Sequence, residues 1–414
     1  MTHLRRKLLT PYHYLWAALA ALWHGFPAKK MVVIGVTGTK GKSSVAEMLY
    51  SIFTAAGHKT AIAGTIRFAI GTNSRPNLFK MTLPGRGFIQ KFLAEARAEK
   101  CTYAIVEITS EAALQYRHLG LNLDTLVFTN LQKEHLESHG SMEKYFCAKF
   151  AIGESLIRSP KRPRAIIANA DDIYGSAFLA LPVEKCISFS FSDAKNARVT
   201  DQNVSFEYGN VSFDMPQPGN FSVMNALSSI KTAEAFGVPL LTCADALHEL
   251  LRIGGRVEKI DAGQNFLAIV DYAHTPDSLR ALYDAFGNRK LICVLGNTGG
   301  GRDAWKRPEM GRIADEHCEK VILTNEDPYD EDPRKIVDEM AHGMARAPEI
   351  IMDRRKAIRA ALRLASLAQD KHNIAVLITG KGTDPFIMGP CGTKTLWNDA
   401  SVVREELKQL IAEV

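Results

Sequence analysis

The sequence has little that marks a secreted, fibrous or membrane-spanning chain. Its seven cysteines in 414 residues are odd in number and widely spaced, and no two form a C-x-x-C pair. That argues against both a zinc ribbon and a disulfide framework; small buried thiols and a reducing, cytoplasmic location are expected instead. No internal repeat and no low-complexity tract appears. Lys and Arg are scattered and the formal charge is only +6, which points away from nucleic acid and toward a basic pocket for an anionic substrate. The apolar stretch at 14–23 falls well short of the roughly 20 residues that span a bilayer. It follows Arg5, Arg6 and Lys7 and superficially resembles a signal peptide, yet a strand that must stay in the product begins a few residues later. Leu15, Leu19 and Leu22 lie at helical spacing, so an amphipathic helix is expected, with peripheral contact its remaining membrane role.

What is present is a globular composition, 46% hydrophobic and 23% charged, in a chain long enough for two or three domains. The pattern is α/β. Residues 31–36 are an apolar, β-branched run expected as a buried parallel strand. A Gly-rich turn follows, then a helix with Val45, Met48, Leu49, Ile52 and Phe53 on one face, stopping at Gly57. Further buried strands are expected at 103–108, 125–128 and 165–168, and antiparallel hairpins at 199–215. Beyond a hinge at Gly254 and Gly255, strands at 266–270, 291–295, 321–324 and 375–379 each lead into a loop rich in Gly, Asp or Thr. Open α/β sheets bind ligands at such strand ends, so two units facing one cleft are expected. The expected boundaries are a helix and turn at 1–30, a central domain at 31–253 and a C-terminal domain at 254–414.

The strongest motif is Gly38-Thr39-Lys40-Gly41-Lys42-Ser43-Ser44, between the first strand and its helix. Glycines let backbone N–H groups approach phosphate oxygens, and the helix N-terminus favours negative charge. Lys42 is placed to reach the β- and γ-phosphates of ATP, and Ser43 to hold Mg²⁺. Val36 stands where the standard pattern has its first glycine, so the loop is a shortened variant. The glycine-rich run at 296–301 lacks G-x-G-x-x-G spacing and reads as a cleft-lining loop presenting Arg302.

The shortened loop resembles the phosphate loop of the Mur ligases and of the related folylpolyglutamate synthases. Val106-Glu107-Ile108-Thr109-Ser110, then Thr129-Asn130-Leu131 with Glu134-His135-Leu136, then Tyr145-x-x-x-Lys149 follow in that family's order. Gly219-Asn220-Phe221 with Asn225, Gly255-Arg256-Val257-Glu258, Asp271-Tyr272-Ala273-His274, Gly301-Arg302-Asp303 and Gly380-Lys381-Gly382 continue it. The set is most similar to the branch that adds the third residue of the peptidoglycan stem peptide, the UDP-N-acetylmuramoyl-tripeptide synthetases. The resemblance implies a central P-loop ATPase domain and a C-terminal Rossmann-like domain behind a short N-terminal helix. It also implies an ATP-dependent ligase. A carboxylate attacks the γ-phosphate, and an amine then displaces phosphate from the acyl phosphate, so catalysis rests on positioning and charge neutralisation.

By the same resemblance Ser43, Glu107 and His135 hold Mg²⁺. Lys149 matches a carbamylated lysine whose new carboxylate assists them, and Lys42, Glu107, His135 and Lys149 form the implied catalytic set. Gly38, Thr39, Lys40, Gly41, Lys42, Ser43 and Ser44, with Asn225, Arg256, Asp271 and His274, are the implied nucleotide contacts. Thr82, Thr109, Ser110, Gln115, Arg117, Arg302, Asp327, Tyr329, Gly380 and Asp384 are the implied substrate contacts.

The departures from the family are informative. The thirty residues before the first strand cannot form the domain that grips UDP in the family. The resemblance is therefore to a ligase without that domain: either its acceptor lacks UDP, as for folylpolyglutamate or cyanophycin-type ligases, or a partner protein supplies the grip. Substrates are expected to be small molecules or peptides, with no nucleic acid and no integral membrane span. The amino-acid-selecting Asp-Asn-Pro-Arg of the family reads Glu326-Asp327-Pro328-Tyr329, and its Gly-Lys-Gly-His-Glu reads Gly380-Lys381-Gly382-Thr383-Asp384. Losing the arginine removes the counter-charge of a distal carboxylate. Glu326, Asp327 and Asp384 are expected to favour a side-chain ammonium, and thus a diamino acid such as lysine or ornithine.

Overall fold

The computed structural model describes residues 3–85, 87–134 and 136–413, with backbone alone for residues 3–10. The chain opens with helix α1 (His3–Trp23) and a 3-10 turn, Pro27–Lys30. The expected face of Leu15, Leu19 and Leu22 exists, but it points to solvent. Among the described side chains of the helix the buried one is Ala21, on the opposite side.

The run Val-Val-Ile-Gly-Val-Thr, buried at five of six positions, becomes strand β1 (Val32–Thr37). The same sheet contains β2 (Thr60–Ala63), β3 (Arg67–Ile70), β4 (Asn73–Pro76), β5 (Tyr103–Glu107), β6 (Thr125–Phe128), β7 (Ala165–Asn169) and β8 (Lys185–Phe189). Their order is β4-β3-β2-β5-β1-β6-β7-β8. All pairs are parallel except the β2-β3-β4 meander at one edge. Because β5 and β6 flank β1, the loops leaving these three strands meet where the strand order switches direction, the crevice that open α/β sheets use for ligands. Helix α2 (Lys42–Ala55) follows β1 and buries Val45, Met48, Leu49, Ile52 and Phe53 against one sheet face. Helix α3 (Phe88–Ala98) covers the other face through Ile89, Phe92, Leu93 and Ala96.

The expected hairpin region is a three-stranded antiparallel sheet, β9 (Lys195–Val199), β10 (Val204–Tyr208) and β11 (Val211–Met215). A second six-stranded sheet follows, ordered β12-β13-β17-β14-β15-β16. Its strands are β12 (Glu258–Lys259), β13 (Leu267–Val270), β14 (Lys290–Leu295), β15 (Lys320–Leu323), β16 (Glu349–Ile350) and β17 (Ile374–Ile378). Strands β13 to β17 are parallel with apolar cores on both faces, as buried Val/Ile/Leu runs require. A small hairpin, β18 (Phe386–Met388) and β19 (Lys394–Leu396), lies beyond.

Two cysteine expectations are corrected: Cys147, Cys186 and Cys391 are exposed and not buried, and one disulfide is present. Cys293 of β14 and Cys318, at the end of the helix Lys306–His317, form a disulfide with Cα atoms 6.3 Å apart. The helix returns the chain beside β14, and a separation of 25 residues carries no sign of that in the sequence. Among the described residues no helix is long and apolar enough to cross a membrane.

Candidate active site

The loop after β1 takes its shape from two glycines at positive φ, Gly38 (147°) and Gly41 (83°). A Cβ on Gly38 would lie 1.9 Å from Thr129 Oγ1, and one on Gly41 would lie 2.4 Å from Asn225 Oδ1, so neither position tolerates a side chain. The residues after β6 brace the loop. The Lys40 N–H donates to Asn130 Oδ1 at 2.9 Å, and the Thr129 hydroxyl donates to the Lys40 carbonyl at 2.6 Å. Lys42 folds back onto its own loop, donating to the Gly38 and Thr39 carbonyls at 3.0 and 2.9 Å. Burial pulls its pKa down to about 8, against the opposing pull of Glu134 and Glu107.

Lys149, from the helix Met142–Ile157, is fully buried beneath the same loop. Its Nζ donates to the Gly38 carbonyl at 2.6 Å and lies 4.8 Å from the Tyr145 ring centre. Among the described residues it has no ion pair. Burial first, then Lys42, pushes its pKa well below the usual lysine value.

Glu107, at the end of β5, is also buried, and burial raises its pKa. It accepts from the Ser43 hydroxyl at 3.0 Å, and from the Thr65 N–H and hydroxyl at 2.8 and 3.0 Å. These donors are neutral, so the carboxylate is desolvated and hydrogen-bonded but not neutralised by direct contact. A hydroxyl and a carboxylate side by side at a helix N-terminus form a hard-oxygen pair that fits Mg²⁺. No group of three His, Cys, Asp or Glu side chains that could hold a metal occurs among the described residues, and His135 lies outside them.

The second unit reaches the loop from across the cleft. Arg256 lies over the Tyr272 ring at 4.5 Å, and its Nη2 donates to Ser43 Oγ at 3.3 Å. Asp271 is held by the Val257 and Ala273 N–H groups, each at 2.7 Å. His274 lies 2.6 Å from the Tyr272 carbonyl through Nδ1 and 2.8 Å from Glu134 Oε1 through Nε2. Glu134 also receives Lys40 Nζ at 3.1 Å. Burial and Lys40 draw the His274 pKa down to about 4. Both ring nitrogens thus face acceptors, the Tyr272 carbonyl and the Glu134 carboxylate. Between the two units lies a cleft of about 1190 Å³ lined by residues 39–44, Asn225, Arg256, Asp271 and His274.

Thr82, Thr109, Ser110, Gln115, Arg117 and Arg302 line the same cleft, while Glu107 and Lys149 lie behind its wall. Arg117 is aimed by a 2.7 Å hydrogen bond to the Leu83 carbonyl and by contact with Gln115. The amino-acid motifs are arranged differently from the expectation. Asp327 and Asp384 do not offer unpaired carboxylates: each forms ion pairs with both Lys80 and Lys381, at 2.5–3.2 Å. Two acids so close together in a largely buried site need two cations, and the protein supplies both. Glu326 is buried, and its carboxylate occupies the space a Gly380 side chain would need, with Oε2 only 2.2 Å from an added Cβ. The groups facing the cleft here are Lys80 and Arg302, with the Arg302 guanidinium 4.9 Å from the Tyr329 ring centre. Lys80 and Thr65 were invisible as site residues in the sequence. Thr65 had one available signal, its place just beyond the end of β2.

A glycine-rich phosphate loop at a strand–helix junction, closed over by a second α/β unit with its own strand-end loops, defines a nucleotide-binding enzyme of the two-domain P-loop ligase class. Residues 36–233 match the Mur ligase middle domain, and residues 255–382 match the Mur ligase glutamate ligase domain. The chain is 35% identical over 386 residues to a UDP-N-acetylmuramoyl-L-alanyl-D-glutamate–2,6-diaminopimelate ligase of Syntrophomonas wolfei, covering 89% of this chain and 77% of that one. A solved structure of a ligase of the same description superposes with a TM-score of 0.62 at 27% identity, over 92% of this chain and 79% of that one. Mycobacterium tuberculosis folylpolyglutamate synthase shares the fold, with a TM-score of 0.72 at 16% identity over 89% and 93% of the two chains. The chain belongs to the Mur ligase family, ATP-dependent enzymes that join amino acids to peptide carboxylates in peptidoglycan precursor synthesis.

Proposed function

We propose that this chain extends a peptide carboxylate by one amino acid through an acyl phosphate, with ATP lying along the loop at 38–44. The observation that carries this reading is the Ser43–Glu107 pair at the N-terminus of α2, faced across the cleft by Arg256 of the second unit. Lys42 would leave the Gly38 and Thr39 carbonyls for the β- and γ-phosphates, exchanging dipoles for charge. Mg²⁺, when bound, supplies neutralisation of the triphosphate. Ser43 and Glu107 would hold it, joined by His135 and a carbamylated Lys149. Carbamylation needs a neutral amine, which the burial of Lys149 and the nearby Lys42 favour against the weaker opposing pull of Glu134. Asn225 at Gly41, together with Arg256, Asp271 and His274, fits the nucleotide side of the closed cleft.

At the other end, Thr82, Thr109, Ser110, Gln115 and Arg117 would hold the acceptor carboxylate toward the γ-phosphate. Lys80 is balanced by Asp327 and Asp384, whereas Arg302, over the Tyr329 ring, presents positive charge where the incoming amino acid enters. That favours one with a second carboxylate, such as a diaminopimelate, over lysine or ornithine, and reverses the preference read from the motif alone. Excluding water from the closed cleft would protect the acyl phosphate from hydrolysis. The test is ADP release over a matrix of acceptors, with and without UDP, against amino acids. Release that needs both substrates, highest with a dicarboxylic diamino acid, is expected. ADP release indifferent to both substrates would overturn the assignment.

A further inference from the structure

Helix α1 is built inside out for a surface helix of a globular protein. Its small residues face the body: Ala20 lies over Gly87 and Ala21 over Gly120, where an added Cβ would come within 2.9 Å in each case. The two glycines let the helix backbone approach closely, and Tyr14 packs edge-on against Tyr116 with ring centres 5.6 Å apart. These contacts fix which side of α1 looks outward. That side carries Tyr12, Leu15, Trp16, Leu19, Leu22 and Trp23, which fall within an arc of about 120° at 100° per residue. All six are exposed, Leu22 at 63% and Trp23 at 87%. A monomeric soluble protein rarely leaves so large a contiguous apolar face uncovered.

The charge of the segment says what covers it. The chain has no Asp or Glu before Glu47, while Arg5, Arg6 and Lys7 lie in the helix, and Lys29 and Lys30 in the turn after it. Lys29 and Lys30 are exposed. Leucine for acyl chains, tryptophan and tyrosine for the headgroup boundary and an unbroken excess of cations form the chemical pattern of a helix lying in an anionic lipid surface. The helix is not apolar enough to cross the bilayer.

We propose that α1 docks the enzyme on the surface of an anionic bilayer, with its Tyr12–Trp23 face in the interface. Tyr116 lies between Gln115 and Arg117, which line the cleft. Docking through α1 therefore places that end of the cleft beside the lipid surface, within reach of substrates held there.

The test is co-sedimentation of the full chain with vesicles of phosphatidylcholine alone or mixed with phosphatidylglycerol. Binding to the mixed vesicles, a blue shift of tryptophan emission and weakening with salt are expected. Leu15→Ser/Trp16→Ser/Leu19→Ser/Trp23→Ser should abolish binding without lowering the melting temperature, because all four side chains are exposed. Arg5→Gln/Arg6→Gln/Lys7→Gln should weaken it roughly a hundredfold. Equal binding to both vesicle types, or none, would overturn the proposal. So would a dimer in light scattering that the serine variant dissolves while vesicles go unbound.

Discussion

Replacing Lys80 with methionine keeps most of the side-chain volume and removes one charge from a cluster of four. Lys80 comes from the first unit, whereas Asp327, Lys381 and Asp384 belong to the second. Side-chain exposures in the cluster run from 0% for Lys381 to 17% for Lys80. Without Lys80 the two acids share one cation, and a net negative charge is left in a poorly hydrated site. Breaking a fully buried pair costs roughly 3–5 kcal/mol. Lys80 is partly hydrated and Lys381 still faces both acids, so about 2–3 kcal/mol is expected here. Because the pair spans the two units, the loss falls on the closed arrangement and not on either core. The closed-to-open equilibrium constant should drop by a factor of roughly 30–150. Small-angle scattering should show a more open Lys80→Met enzyme with nucleotide bound, and KM for a dicarboxylic amino acid should rise at least tenfold. The variant should also gain on lysine, because Asp327 and Asp384 are then short of a partner. Unchanged scattering together with an unchanged KM would refute the reasoning.

Other outcomes follow from the buried charges. Lys42 has its folded pKa drawn to about 8 from the usual 10.5; the unfolded chain therefore binds more protons between these values, and stability should rise with pH across that window. Lys42→Met should flatten that rise, raise apo stability at pH 7 by on the order of 1 kcal/mol and abolish turnover, as paired urea titrations and assays would show. Lys149→Ala should be inactive and partly rescued by small carboxylic acids, and stripping bicarbonate should slow the wild type; a free ε-amino group in a crystal with MgATP would count against carbamylation. Glu107→Gln removes a buried carboxylate, so melting should shift upward without metal while the Mg²⁺ concentration for half-maximal activity climbs at least tenfold. The kcat/KM for meso-diaminopimelate should exceed that for L-lysine at least tenfold with one acceptor, and parity would refute the cationic reading of the Arg302 end.

The frame was legible because buried parallel strands are continuous apolar runs. Strands β1, β5, β6 and β7 and the four central strands of the second sheet lie within a residue or two of expectation. The edges were not, because edge strands obey other rules. Asn73–Pro76 is fully exposed and polar, and Lys185–Phe189 is buried only at Phe189. The loop at 38–44 was legible as a strand–helix junction because Gly38 and Gly41 take the positive φ that such a tight turn requires. The pairing of Asp327 and Asp384 was not, since Lys80 lies 247 residues from Asp327 and nothing local marks it as their partner. Leu15, Leu19 and Leu22 show the converse: spacing revealed their common face, but only the glycines beneath the alanine side determine that it turns outward.

The central claim, an acyl phosphate formed over the loop at 38–44, is tested most directly by oxygen tracing. The acceptor carboxylate is labelled with ¹⁸O, a single round of ligation is run, and the released phosphate is analysed by mass. Attack of the carboxylate on the γ-phosphate predicts one labelled oxygen in inorganic phosphate for each amide formed. Unlabelled phosphate, or label carried into AMP, would contradict it.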